Sequence, residues 1–179
     1  MKTSDELINK SEPGLYTVQQ WPAEAKNPYE ILPRDENCAA RQLLGLQVTT
    51  RSPMGATRYG CGGILIDHGR LRILGSGCKR LNRGIYDFTL GKSFAEARRM
   101  PSYLLVADDV LGGFFAINGS AFAGEAGNVF YYAPDSGEWE DCEMGYLQFV
   151  YWRCAAFAEI LRAVYMGGPA RGCCELEPR

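Results

Sequence analysis

Apolar residues recur along this chain at two different periods. Towards the carboxyl end, Leu147, Val150, Tyr151, Cys154, Phe157, Ala158, Leu161 and Tyr165 follow three- and four-residue steps, which lays one stripe along a helix spanning 144–166. Between 48 and 143 the apolar runs are short and separated by turn residues, beginning with Ser52-Pro53-Met54-Gly55. Residues 63–66, the turn Asp67-His68-Gly69 and residues 70–74 read as a hairpin whose second strand alternates charged and apolar side chains, so that one face is wet. Residues 103–107 and 113–117 are apolar runs around Asp108-Asp109, which reads as an accessible polar turn. Residues 128–133, a turn over 134–137 and a last short strand over 138–142 complete an antiparallel meander.

The first 47 residues predict helices instead. Thr3 with Glu6 has the form of a capping box opening a short helix near 4–10. A second segment over 15–25 is interrupted by Pro22, and Asn27-Pro28 then breaks the chain. Asp35 caps a third helix running to Leu46, with Cys38, Ala39, Gln42, Leu43 and Leu46 on one face. Residues 75–101 read as a long connection with a short helix near 94–99, and 167–179 as a tail. The expectation is a single α+β domain over 1–179: N-terminal helices, a central antiparallel β-meander and a C-terminal amphipathic helix packed on the sheet.

Composition agrees with a globular chain. Of 179 residues 46% are hydrophobic and 22% charged, which argues against disorder and coiled coil. A formal charge of -2 lacks the positive field of a direct nucleic-acid binder. The start, MKTSDELINKSEP, has no apolar signal region, and no stretch approaches the roughly 18 apolar residues of a membrane span, so a cytoplasmic protein with no membrane partner is expected.

Charge is unevenly placed. Residues 70–99 hold eight basic side chains against two acidic ones, a local balance of +6, whereas residues 101–150 hold eight acidic side chains and no Lys or Arg, a balance of -8. The acidic block, with Tyr131, Tyr132 and Trp139 nearby, is suited to steering a basic protein partner; the alternative is that the two blocks fold against each other or that the acids occupy solvated turns.

The chain carries few candidates for catalysis. Seven cysteines, with no C-x-x-C and a single histidine, read as free thiols and give no metal site. His68 is the one imidazole that can serve a nucleophilic mechanism, yet turn chemistry accounts for Asp67-His68-Gly69. Gly91-Lys92-Ser93 resembles the end of a P-loop but Tyr86 stands where its first glycine belongs, and Gly75-Ser76-Gly77 lacks the third glycine of a dinucleotide fingerprint, so no cofactor is expected. Asp108-Asp109 are neighbours in an extended chain and project to opposite faces, unlike a catalytic carboxylate pair.

The segments GGFFAINGSA, GNVFYYAPDSGEWED and GYLQFVYW, with MKTSDELINKSEPG, LQVTTRSPMGA and GGILIDHGRLRILGSG, resemble an uncharacterised bacterial family, a cytoplasmic domain of unknown function, up to about Trp152. More distantly, Val106-Ala107-Asp108-Asp109, Gly112-Gly113-Phe114-Phe115-Ala116-Ile117, Val129-Phe130-Tyr131-Tyr132, Trp139 and the following aromatic helix resemble the SUKH superfamily. That resemblance implies an α+β binding scaffold, many of whose members are immunity proteins that neutralise bacterial toxins. The expected function is therefore noncatalytic binding, with Asp108, Asp109, Glu138, Glu140, Asp141 and Glu143 meeting a basic partner and Trp139 adding buried contact area. The alternative is a small-ligand-binding protein or small enzyme with a site near His68, Asp67 and the glycine-rich strands. The sequence leaves the oligomeric state open.

Overall fold

Each strand pairs with the strand next to it in sequence. In the computed structural model, which describes residues 3–8, 27–93 and 101–152, seven strands form one antiparallel sheet. They are β1 (Tyr29–Leu32), β2 (Gly63–Ile66), β3 (Leu71–Leu74), β4 (Tyr103–Asp109), β5 (Phe114–Asn118), β6 (Asn128–Ala133) and β7 (Glu138–Gly145), in that spatial order. The described helices are α1 (Ser4–Leu7), α2 (Glu36–Leu46), α3 (Pro53–Gly60), α4 (Ile85–Thr89) and the helical backbone at 146–152, here α5.

The pairing register divides the side chains between two faces, because partners across a ladder point the same way and successive residues alternate. Ile64, Ile66, Leu71, Ile73, Ala107, Phe115 and Val129 share one face and are buried. Helix α5 covers it: Phe149 packs on Phe115 with ring centroids 4.9 Å apart, and Phe149 and Val150 are fully buried. Leu65, Arg72, Asp108, Phe114, Tyr132 and Trp139 share the other face. There α4 sets Phe88 against Phe114 at 6.0 Å, and Thr89 Oγ1 accepts the Leu105 amide at 3.1 Å. That amide lies where the β4–β5 register shifts between Leu105 and Ala107. The hydroxyl thus takes up a donor at an irregularity of the ladder.

Capping and one buried amide place the helices. Asp35 accepts the Cys38 amide at 3.0 Å and starts α2; these bonds hold its carboxyl below the usual range. Helix α4 begins at Gly84, which has no side chain to cap it. Gln42 of α2 supplies the acceptor, taking the Tyr86 amide on Oε1 at 2.6 Å while its Nε2 donates to Asp87 at 2.8 Å. A Cβ at Gly84 would come within 2.6 Å of Gln42 Oε1, so this close approach requires glycine.

Four expectations are corrected. The N-terminal part read as helical contains strand β1, a four-residue edge strand bounded by Pro28 and Pro33 and too short to show a period. Ser52-Pro53-Met54-Gly55 is a helix start: Ser52 Oγ accepts the Gly55 amide at 3.0 Å, and Pro53 fills a first-turn position where no amide is needed. Asp108 and Asp109 belong to β4 and are each 5% exposed, while the chain turns over 110–113. On α5 the inward residues are Tyr146, Phe149 and Val150, whereas Leu147 and Tyr151 of the expected stripe are 42% and 45% exposed. The expected segments over 15–25 and 94–99, the helix beyond 152 and the 167–179 tail lie outside the described residues.

Ser52→Ala should lower the unfolding free energy by about 1 kcal/mol in a denaturant titration, and Ser52→Asp should retain most of it. Phe115→Ala, which empties the contact between sheet and α5, should cost ~3–5 kcal/mol by the same measurement.

Candidate functional site

Strand β4 delivers Asp108 to the middle of the sheet beside two guanidinium groups. Asp108 Oδ1 accepts from Arg72 Nε at 2.7 Å and Oδ2 from Arg83 Nη2 at 2.5 Å, while Arg72 Nη2 donates to the Asp109 carbonyl at 2.7 Å. Asp109 points the other way, to the α5 side. Its Oδ1 accepts the Leu111 and Gly113 amides at 2.8 and 2.9 Å, and its Oδ2 accepts from the Tyr131 hydroxyl at 3.0 Å. A Cβ on Gly113 would lie 2.6 Å from Asp109 Oδ2 and closer still to Tyr131 Oη, so the glycine makes room for this bond. Both carboxylates are committed inside the fold.

The other acids lie on β7, a sheet edge. Glu138 and Glu140 are exposed, opposite Ala133 and Tyr131, and share the face of α5. Trp139 and Asp141 point to the opposite face. Asp141 accepts from the Asn128 amide group at 3.2 and 3.3 Å and from the Glu143 amide at 2.8 Å. This second bond holds a bulge, where the register shifts between Asn128 and Phe130 and Glu143 takes φ 53°. The seven expected partner residues are therefore not one cluster. Asp108 and Asp109 are internal, Asp141 is tied to Asn128, and the exposed Glu138 and Glu140 lie on the face away from Trp139.

Trp139 instead joins an aromatic array on that opposite face. It stacks on Phe122 at 4.5 Å and meets Tyr132 at 5.4 Å and Tyr103 at 5.8 Å. Phe122 packs on Phe130 at 4.9 Å, and Phe114 continues the row from Tyr132 towards Phe88. Phe88 carries Arg83 and Lys92 over its ring, with the cations 5.3 and 4.2 Å from the centroid. Of these rings only Phe130 is buried; Tyr103, Phe114, Phe122, Tyr132, Trp139 and Phe88 are half-buried. Sequence reasoning singled out Trp139 and Tyr132 but missed Tyr103, Phe114 and Phe122. The available signal was that residues 114, 132 and 139 sit at alternating strand positions; Phe122 comes from a loop and gave none.

His68 is exposed in the β2–β3 turn, where Asp67, His68 and Gly69 have φ 48°, 57° and 85°. It borders a shallow recess of about 240 Å³ lined by Pro28, Tyr29, Glu30, Leu65 and Arg80. Arg80 pairs with Glu30 there, and the hydrogen bonds hold the Glu30 carboxyl below its usual range. Asp67 pairs with Arg70 at 3.1 Å. Burial pushes the Cys61 thiol up to about 12, which disqualifies it as a nucleophile near neutral pH. Among the described residues no group of three or more His, Cys, Asp or Glu could hold a metal ion, and no helix is long and apolar enough to cross a membrane.

The chain is similar to two bacterial proteins. It is 42% identical over 152 residues to an "Uncharacterized protein" of Haemophilus influenzae, the match covering 85% of this chain and 67% of that one. It is 43% identical over 152 residues to the "Putative uncharacterized protein YbfG" of Escherichia coli K12, covering 85% and 68%. The pattern of the family described as "Protein of unknown function DUF2625" matches residues 4–167, and the chain belongs to that family.

Proposed function

We propose that this chain is a noncatalytic binding protein whose docking surface is the aromatic face around Trp139. The observation that carries this is the row of half-buried rings, Tyr103, Phe122, Trp139, Tyr132 and Phe114, on the sheet face opposite α5. Rigid aromatic side chains with part of their area still in water lose little conformational entropy on contact and gain much by burial. The β6–β7 hairpin that carries Trp139 also bears exposed Asp135, Glu138, Glu140 and Glu143. Glu138 and Glu140 point to the α5 face, so these acids speed the approach of a basic partner through their summed field rather than by lining the aromatic surface. The occluded partner in a SUKH-like immunity role is a toxin, and the cytoplasm is where such a complex would act.

A second proposal, a small-ligand site, is favoured by the recess that sets His68 beside Tyr29, Glu30 and Arg80. Its polar groups suit an orienting contact more than proton transfer, because Glu30 is already engaged by Arg80.

Soluble bacterial protein passed over the immobilised chain should leave a basic partner bound, held more weakly as salt rises. Tyr132→Ser and Trp139→Ala should each weaken that complex about 30-fold, or ~2 kcal/mol, with melting curves checking that the variants fold. Retention unaffected by either substitution would overturn the aromatic surface. Asp108→Asn should act on folding instead, lowering stability by about 3 kcal/mol with partner affinity unchanged, because two arginines lose their counter-charge. For the recess, a saturable NMR shift of His68 and Tyr29 on titration with small carboxylic acids or amines supports a ligand site, and the lack of one ends that proposal.

A further inference from the structure

Arg58 sits in the last turn of α3 and is fully buried, at 0% exposure. Its Nε, Nη1 and Nη2 are all closed off from solvent and have no hydrogen-bond partner among the described residues. Among the described residues Arg34, Arg41, Arg70, Arg72, Arg80 and Arg83 each pair with a carboxylate and Arg51 is exposed to water, so Arg58 differs from them in being buried without a counter-charge. Burial lowers the pKa of Arg58 to about 10, and the Tyr146 phenol at the start of α5 acts in the opposite direction, so the group stays charged at neutral pH. The carbonyl end of α3 attracts a cation, but this offsets only part of the cost of removing a guanidinium from water. A Leu or Met at this position would avoid that cost entirely.

We propose that Arg58 anchors an enclosed oxyanion site that takes a carboxylate or phosphate group. The planar fork of five donors matches either anion through two parallel hydrogen bonds, and it fixes orientation as well as charge. Since no part of Arg58 reaches solvent and the Tyr146 phenol acts on its charge, an anion paired with it belongs inside the fold near the start of α5 rather than on a surface. The site is separate from the aromatic face, so loss of one function leaves the other intact.

The test is a thermal melt of the full chain in inorganic phosphate, or in acetate, against chloride at equal ionic strength. One of the two anions should raise the wild-type melting temperature saturably, and which one does so identifies the bound group as phosphate or carboxylate. Arg58→Met should show no anion-specific rise and, without anion, should melt at or above wild type. If that variant fails to fold, Arg58→Lys, which keeps the charge but loses the fork, should bind about tenfold more weakly by calorimetry. The proposal is overturned if neither anion stabilises the wild type saturably, or if Arg58→Met responds as the wild type does.

Discussion

A carboxylate clasped by two guanidinium groups inside a sheet is tolerable only when both partners stay in place, and the Asp108 cluster imposes that condition here. Arg72 comes from β3 and Arg83 from the connection that leads into α4. Asp108 on β4 therefore ties three segments at one point, across a connection whose closure costs entropy. The same tie sets Phe88 of α4 over Phe114 of β5 and so begins the aromatic row that ends at Trp139. Losing one member would strand charge in a region that water reaches poorly.

The two faces of the sheet divide their tasks. One is closed by α5 through Phe149 on Phe115, with Asp109 and Tyr131 satisfying each other at its margin. The other is closed by α4 near Phe114 and leaves Tyr132, Trp139, Phe122 and Tyr103 partly in water. At the edge, β7 carries Glu138 and Glu140 outward and bends at Glu143. Charge and a bulge on an edge strand discourage a further strand from adding there. This leaves the aromatic face, and not the edge ladder, as the surface best suited to specific contact.

Much of the meander was legible because its strands are regular. Residues 63–66, 71–74, 114–118 and 128–133 alternate or run apolar between glycine-bearing turns, and Asp35 and Leu46 bound α2 as their chemistry dictates. Strand β1 escaped notice because four residues between prolines carry no period. Ser52-Pro53 was ambiguous between turn and helix start, since serine and proline favour both. The site was less legible. The acidic block suggested a surface, but contact between Asp108 and the basic block depends on β3–β4 register, which a charge count does not encode. That the two blocks fold against each other was the alternative weighed from the sequence, and Arg72 and Arg83 realise it for Asp108. Arg58 gave no signal at all, because nothing in its neighbourhood in the sequence marks it as enclosed.

The strictly sequential strand order bears on how the chain acquires its fold during synthesis. After β4 each new strand emerges beside a partner already made, separated by a turn or by the loop over 119–127, so pairing needs no long search. The two slow closures are β1 onto β2 and β3 onto β4, each spanning a helix-bearing excursion. A nascent chain halted between α4 and β4 would hold Arg72 and Arg83 without Asp108 to receive them. Strand β4 is thus the point at which the growing polypeptide passes from a charged, incomplete hairpin to a sheet able to propagate itself.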